Sequence, residues 1–429
     1  MFFPKNENAV QVEEFTKQLL DELEKLLPEG KDDDIPGNKK IKVAYSRLWA
    51  INGDEQYKGL QSRFFHIITN ALESLTPQQL LEAVSFDPDS NKLVELDLDQ
   101  LEGLYCNFLK TNSEGYLDYE HLSAEIFVSE KKKEGFGTSA FQPQPFLARS
   151  CLYCLSTTGF QSEFYSYAAR NWVSHYNKAG DKRAEISETA ADVFRTGPNT
   201  FHTWFPIYWA AAERPTTTHP NLTALMAASY LGLEMVVEIL IEEEPNINEK
   251  TEDGWTALHW AFKNDRTVSV MEKLLNGGVD CAAQDDNGQT ALHLAVNLGR
   301  KDVLPLLAAH QQGVCLEVKD VLGLTALHLA VRMAEWRHDK GEELVEVLLD
   351  HGASRNALNL LGRTPEEEAT LHRRESEVRL LHDGDASPTT SLDQQRLKET
   401  SWNFLRAGIS QSMWDPDSID IRMNMALYT

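Results

Sequence analysis

The chain has 429 residues, of which 42% are apolar, so it has room for two or three domains with their own cores. Its formal net charge of −25, from 41 basic and 66 acidic residues, argues against a nucleic-acid-binding surface, which needs a basic face. Five scattered cysteines, no apolar leader and no run of 18 apolar residues predict an intracellular protein, cytoplasmic or nuclear, without a membrane span.

The first 40 residues predict one helix followed by an acidic linker. Apolar residues recur at helical spacing between Val10 and Leu27, and the opposite face is charged. Pro28, Gly30 and the acidic run that begins at Lys31 then end the helix.

The next region, 41–135, alternates helical patterns with turn-rich segments. Helices are predicted at 41–51, at 60–75 and after Thr76. Thr76 is a favourable N-cap residue, and Pro77 suits the first helical position. From 101 to 130 the pattern predicts a helix or strand, a turn, a strand and a helix.

Residues 136–212 predict a helical connector. Four helical patterns follow one another in this region, at 146–160, 164–180, 184–197 and 201–213. Since the last of them leads directly into the next region, we expect it to cap that region at its N-terminal side.

Two short motifs in this half suggest metal sites, and neither pattern is complete. Cys151 and Cys154 form a lone C-x-x-C inside an apolar helical run, with no second pair at zinc-finger spacing, so buried structural thiols are favoured over zinc or redox chemistry. The segment that starts at Asp87 resembles a calcium loop. It has Lys92 in place of the required glycine and Leu98 in place of the final glutamate.

One pattern is repeated between 219 and 357. A threonine that opens an apolar helical run stands at 223, 256, 290 and 325, in steps of 33, 34 and 35 residues. A fifth, weaker copy places Thr364 after a step of 39 residues. A second apolar run follows each of the first four threonines. This period predicts stacked helix–turn–helix units, none of which buries its apolar face alone.

The residue types within each copy fit that geometry. Glycines precede the threonines in a tight turn, leucines point into the stack, and alanines allow close approach of neighbouring helices. These residues are Gly254, Gly288 and Gly323; Leu258, Leu292 and Leu327; and Ala261, Ala295 and Ala330. The pattern resembles the ankyrin repeat, whose T-P-L-H-x-A signature is matched three times with Ala in place of Pro. The resemblance implies a mostly α fold with an ankyrin solenoid of about five copies over 213–380.

Histidines recur in register at His259, His293 and His328. Neighbouring repeats hold them about 10 Å apart, one helix diameter, which is too far to share a metal ion. We therefore expect each ring to bond backbone in its own turn. No catalytic motif is present, so we predict no enzyme activity, no cofactor and no metal. An enzyme with an unrecognised site in 41–205 is the least favoured alternative.

In ankyrin proteins, partners are bound by the hairpin tips and by the exposed face of each first helix. Carried over by position, the tip residues are Glu252, Asp253, Trp255, Asp285, Asp286, Gln289, Asp320, Val321 and Leu324. The helix residues are Tyr230, Leu231, Lys263, Asn264, Asn297, Leu298, Arg332 and Met333. We expect the acidic tips to be exposed. Trp255 is either a binding anchor or packed on its own hairpin, whereas Trp260 belongs to the core.

The end of the array departs from the period. Six extra residues fall in 332–343, which includes Trp336, and insertions in such arrays map to one face, often the binding face. Glu366, Glu367 and Glu368 replace apolar positions in the last copy, as a polar end cap would. Residues 381–429 predict a linker and an amphipathic tail (401–414) that either folds back on the array or docks elsewhere.

Six motifs in the N-terminal half resemble the region of fungal NOD-like receptors that lies between a NACHT nucleotide-binding domain and ankyrin repeats. They lie at 45–51, 75–84, 101–109, 119–128, 148–155 and 165–175. The resemblance implies a winged-helix-like region over 41–135. The chain departs from the family because it has no G-x-x-x-x-G-K-[ST] loop, and Gly135 and Gly137 form only a lone G-x-G. The nucleotide switch of that family is therefore not expected.

Together these observations predict a non-catalytic adaptor or scaffold with a protein partner, possibly a basic one. Nucleic acid, membranes and small-molecule substrates are not expected as partners. The alternative is an ankyrin-type transcriptional co-regulator that acts through a DNA-binding partner.

Overall fold

The computed structural model describes residues 58–382 and, before them, Tyr45, Ser46 and Trp49. Within 58–382 it leaves out short segments at 88–91, 94–95, 106–107, 121, 135, 137–140, 158–161, 196–200, 213–220, 244–245, 264–266 and 334–340. The helix predicted within 1–40 and the tail beyond 382 lie outside the described residues. The chain divides into two compact units, Met1–His219 and Pro220–Thr429.

Within its described residues, the first unit is mainly helical with two short antiparallel strand pairs. Its helices are α1 (Lys58–Asn70), α2 (Pro77–Ser85), α3 (Leu98–Tyr105), α4 (Leu122–Lys133), α5 (Pro143–Thr157), α6 (Tyr165–Lys178), α7 (Arg183–Asp192) and α8 (Phe201–Ala212). The antiparallel strand pairs are β1 (Phe86–Asp87) with β2 (Lys92–Leu93), and β3 (Leu109–Thr111) with β4 (Leu117–Tyr119).

Local sequence explains where these elements begin. Thr76 caps α2: its hydroxyl accepts from the Gln79 N–H at 3.1 Å, and the Gln79 side chain accepts from the Thr76 N–H at 3.0 Å. Helix α3, the β3–β4 hairpin and α4 follow the order predicted for 101–130. The assignment of 41–135 as winged-helix-like stays a prediction.

The core of the first unit is aromatic. Trp172 and Trp204 are fully buried, and their rings meet edge to face at 5.3 Å. The Trp204 indole N–H donates to the carbonyl of Val193 at 3.1 Å, so its polar atom is satisfied. Cys151 and Cys154 are buried thiols on α5, as the sequence predicted, and neither is in a disulfide.

In the part of the second unit that the structure describes there are five helix pairs, in agreement with the predicted five copies. The pairs are α9 (Ala224–Tyr230) with α10 (Glu234–Glu243), α11 (Ala257–Trp260) with α12 (Thr267–Asn276), α13 (Ala291–Asn297) with α14 (Leu304–Ala309), α15 (Ala326–Met333) with α16 (Gly341–Asp350), and α17 (Pro365–Leu371) with α18 (Glu375–Leu381). Short 3-10 segments extend α11 and α14.

The predicted core positions of the repeats are confirmed. The three leucines are at most 1% exposed, and the three alanines are fully buried. The last copy differs from the predicted polar cap because Glu368 is 5% exposed. Its carboxylate accepts from the Asn359 side chain at 2.8 Å and lies 3.5 Å from an Arg363 nitrogen, which compensates its burial.

Candidate protein-binding face

Four five-residue turns precede the first helices of the last four repeats, at 251–255, 285–289, 320–324 and 359–363. In each turn the first N–H donates to the fifth carbonyl, at 2.8–2.9 Å, and the glycine N–H at position four donates back to the first carbonyl. Every turn is therefore closed by two backbone hydrogen bonds. We call these turns the tips.

The first residue of a tip organises the turn from inside, which corrects the prediction for Asp285 and Asp320. They are 7% and 8% exposed, so the expectation of exposed acids is wrong at these two positions. One carboxylate oxygen of Asp285 accepts from the N–H groups of Asn287 and Gln289, at 2.9 and 2.8 Å. Asp320 makes the same pair of bonds. Burial raises the pKa of both carboxyl groups, and these bonds oppose the shift.

Neighbouring tips are joined by their backbones. The Asp286 N–H donates to the carbonyl of Asp253 at 3.1 Å, and the Val321 N–H donates to that of Asn287 at 3.0 Å. The Leu360 N–H donates to the Leu322 carbonyl at 3.3 Å. The close approach of neighbouring tips is a second reason, besides the tight turn, why glycine stands at position four. Gly288 has φ +70°, and a Cβ there would lie 2.8 Å from the Val321 nitrogen.

The second and third residues of the tips are exposed, except for Leu322 and Leu361, which are half-buried. We call them the tip row: Glu252, Asp253, Asp286, Asn287, Val321, Leu322, Leu360 and Leu361. Glu252, Asp253 and Asp286 are exposed, as predicted, and Val321 is 58% exposed. The fifth positions are less open: Gln289 is half-buried, and Leu324, predicted to be a contact residue, is 3% exposed.

Aromatic packing settles the position of Trp255. Its half-buried ring lies 5.1 Å from the ring of Trp260, which is a core residue as predicted. The Tyr230 ring contacts Trp260 at 6.1 Å, and Tyr230 and Leu231 are 8% and 2% exposed. The expectation that these two residues line an open helix face is therefore wrong, because both are buried and Tyr230 packs on Trp260 of the next repeat.

The other predicted helix residues border the tips or fall outside the described residues. Lys263, Asn297, Leu298 and Arg332 are half-buried. The Asn297 side-chain amide lies 3.4 Å from the Gln289 side-chain oxygen, which joins the end of α13 to a tip. Asn264, the side chain of Met333, and Trp336 are not among the residues that the structure describes. The insertion falls between α15 and α16, as predicted, and its centre is likewise not described.

The histidines bond their own turns as predicted, and they also reach the next repeat. His293 Nδ1 accepts from the Thr290 N–H at 3.2 Å, while Nε2 donates to the carbonyl of Leu324 at 3.1 Å. His259 and His328 make the corresponding contacts, the latter to Arg363. Only the neutral tautomer with its proton on Nε2 satisfies both bonds. Burial lowers the pKa of His259 and His293 to about 4 and shifts that of His328 in the same direction.

In the described part of the chain, no group of three or more His, Cys, Asp or Glu residues could hold a metal ion. None of the described helices is long and apolar enough to cross a membrane. The geometry offers a row of mostly exposed side chains, held in place by backbone hydrogen bonds within and between the tips.

Comparison with known protein families matches residues 207–285 and 265–357 to ankyrin repeats. This chain carries ankyrin repeats. Three relatives are similar over part of the chain. A putative ankyrin repeat protein of fowlpox virus is 40% identical over 19% of this chain and 24% of its own length. The murine B-cell lymphoma 3 protein homolog is 36% identical over 34% of this chain and 32% of its own length. An intracellular phospholipase A2 of Caenorhabditis elegans is 27% identical over 36% of this chain and 15% of its own length. The chain thus spans about a third or less of the length of these relatives.

Proposed function

We propose that this chain is a non-catalytic adaptor or scaffold whose ankyrin array binds a protein partner through the tip row. The observation that carries the proposal is the combination of a fixed backbone and open side chains. Backbone hydrogen bonds within and between tips hold the row in place, and charged and apolar side chains project from it. A pre-organised surface loses little conformational entropy when a partner binds.

The acidic charge of the chain supports a basic protein partner over nucleic acid or a small molecule. We further propose that the N-terminal unit serves as a connector and that the chain works without a bound nucleotide, inside the cell. The similarity to an intracellular phospholipase A2 covers 15% of that enzyme, so the proposal assigns no lipase activity to this chain.

The experiment uses the full chain with a photo-crosslinking amino acid at Asp286 or, in a second variant, at Val321. Glu242, exposed on α10 and away from the tips, is the matched control position. Irradiation in native lysate should give the same cross-linked partner from both tip positions and not from Glu242. Equal capture from all three positions would contradict binding through the tip row.

The second candidate is a transcriptional co-regulator that acts through a DNA-binding protein. The similarity to the murine B-cell lymphoma 3 protein homolog, which covers 34% of this chain, favours it over other adaptor roles. Imaging of the tagged full chain separates the two, because a co-regulator accumulates in the nucleus. If the partner captured at the tips is then a DNA-binding protein, the second candidate replaces the first.

A further inference from the structure

The tip row changes its chemistry along the array. The first two tips present Glu252, Asp253, Asp286 and Asn287, so three of their four projecting residues are acidic. The last two contain Val321, Leu322, Leu360 and Leu361, which are all apolar; Val321 and Leu360 are exposed, and Leu322 and Leu361 are half-buried. Val321 and Leu360 are 58% and 47% exposed. One row therefore has an acidic half and an apolar half.

The apolar half is continuous rather than a set of scattered side chains. The tips at 320–324 and 359–363 are bonded to each other through the Leu360 N–H. The Leu360 side chain lies over Gly323, where a Cβ would come within 2.9 Å of Leu360 Cγ. Leu358, 49% exposed, precedes the last tip. Neighbouring exposed apolar residues of this kind mark an interaction surface.

Two lysines beside the row donate to backbone carbonyls. Lys250 Nζ donates to the carbonyl of Gln284, and Lys319 Nζ donates to that of Leu358, each at 2.7 Å. Lys250 lies beside the acidic half, and its single positive charge does not neutralise the three carboxylates there. Lys319 flanks the apolar half, where a second basic group on a partner would be repelled.

We propose that the tip row binds one extended polypeptide segment with its basic residues against the first two tips and its apolar residues against the last two. This proposal rests on protein binding through the tip row and adds the order of the partner's side chains. Adjacent repeats are about 10 Å apart, so four tips extend over about 30 Å. About nine residues of extended chain cover that distance.

The first experiment selects binders from a phage-displayed library of random 12-residue peptides on the immobilised full chain. The enriched peptides should carry basic residues at one end and apolar residues at the other, in one chain direction. A selection that enriches mixed sequences, or none, would overturn the proposal. Self-association of the wild-type chain that Val321→Asp with Leu360→Asp abolishes would also overturn it, because a second copy would then occupy the row.

The second experiment titrates an enriched peptide, synthesised with a fluorophore, at two salt concentrations. Glu252→Lys with Asp253→Lys should weaken binding about tenfold at low salt and flatten the salt dependence. Val321→Asp with Leu360→Asp should weaken binding while the salt dependence remains. Glu242→Lys with Glu272→Lys, exposed on second helices, matches the charge change and should leave binding intact.

The two proposals fail in different ways. If the full chain captures a partner at the tips but both tip variants affect the peptide equally at both salt concentrations, only the order of side chains is wrong. If the photo-crosslinking positions capture no partner and the peptide does not bind either, protein binding through the tip row is wrong as well.

Discussion

Mild acid should destabilise the array through its buried histidines. His293 accepts a proton only by losing the bond from the Thr290 N–H, because the new Nδ1–H would face that donor. Its pKa in the folded state is about 4, below the value near 6.5 of an unfolded chain. Between those values the unfolded chain binds more protons, so the free energy of unfolding falls as the pH falls.

The effect is large enough to measure. A histidine with a folded pKa of about 4 loses about 2 kcal/mol of stability between pH 7 and pH 5. His259 and His293 share that value and together give about 4 kcal/mol. The range ends at pH 5 because Asp285 and Asp320, whose pKa burial raises, act with the opposite sign at lower pH.

His293→Gln tests whether protonation of the histidine causes the loss of stability. Another helix of this chain already has glutamine at the equivalent position. Gln79 accepts from the Thr76 N–H as His293 accepts from that of Thr290, and it does not titrate. The variant loses the bond to the Leu324 carbonyl and should be about 1 kcal/mol less stable at pH 7. It should then lose about 2 kcal/mol less than the wild type between pH 7 and pH 5.

The assay is urea unfolding at pH 5, 6 and 7, read by pulsed hydrogen exchange at one fixed labelling pH. Mass spectrometry of peptides covering 256–298 reports the array separately from the first unit. His202→Gln, exposed in α8, is the control and should keep the wild-type pH dependence. The reasoning is refuted if His293→Gln shows the wild-type pH dependence or if the wild type is equally stable at pH 5 and pH 7.

Three further predictions concern stability, each measured by the same urea titrations at pH 7. Asp285→Asn should stay within about 0.5 kcal/mol of the wild type, because Asn359 holds the last tip in the same way, whereas Asp285→Lys should cost about 2–3 kcal/mol; equal effects would contradict the role of the acceptor. Gly288→Ala should cost about 3 kcal/mol and Gly362→Ala about 1 kcal/mol, since both have positive φ and only the first meets a neighbouring backbone. Leu292→Asp should unfold the array, with a loss of about 4 kcal/mol; an intact array would mean that the repeat register is wrong.

The sequence predicted the features that depend on period and residue type. Thr256, Leu292 and Ala295 recur at fixed spacing, and such spacing identifies which face of a helix is buried before any contact is known. The five helix pairs and the positive φ of Gly288 followed from the same pattern.

The wrong expectations concern residues whose burial depends on contacts that residue spacing does not show: Asp285 and Asp320 bond their own turns, and Tyr230 packs on Trp260 of the next repeat. Asp285 was expected to be solvated because acids in turns usually are, yet it lies under its own turn. A signal was present: Asp285, Asp320 and Asn359 each open a turn that ends in glycine, and Asp or Asn in a turn often accepts from the N–H two residues on. The second bond of each histidine had no comparable signal, because its acceptor is a carbonyl about 30 residues away.

The bonds between tips bear on how such an array changes length in evolution. At a junction of the middle repeats, the later tip donates a backbone N–H to the earlier one, and the earlier histidine donates to the later tip. A repeat duplicated in register therefore has one hydrogen-bond donor and one acceptor for each neighbouring repeat. After the duplication, no buried polar group of the junction loses its hydrogen-bond partner. Met226 and Glu367 occupy the histidine position in the outermost copies. Recombination among the inner copies is thus the least disruptive route to longer or shorter descendants.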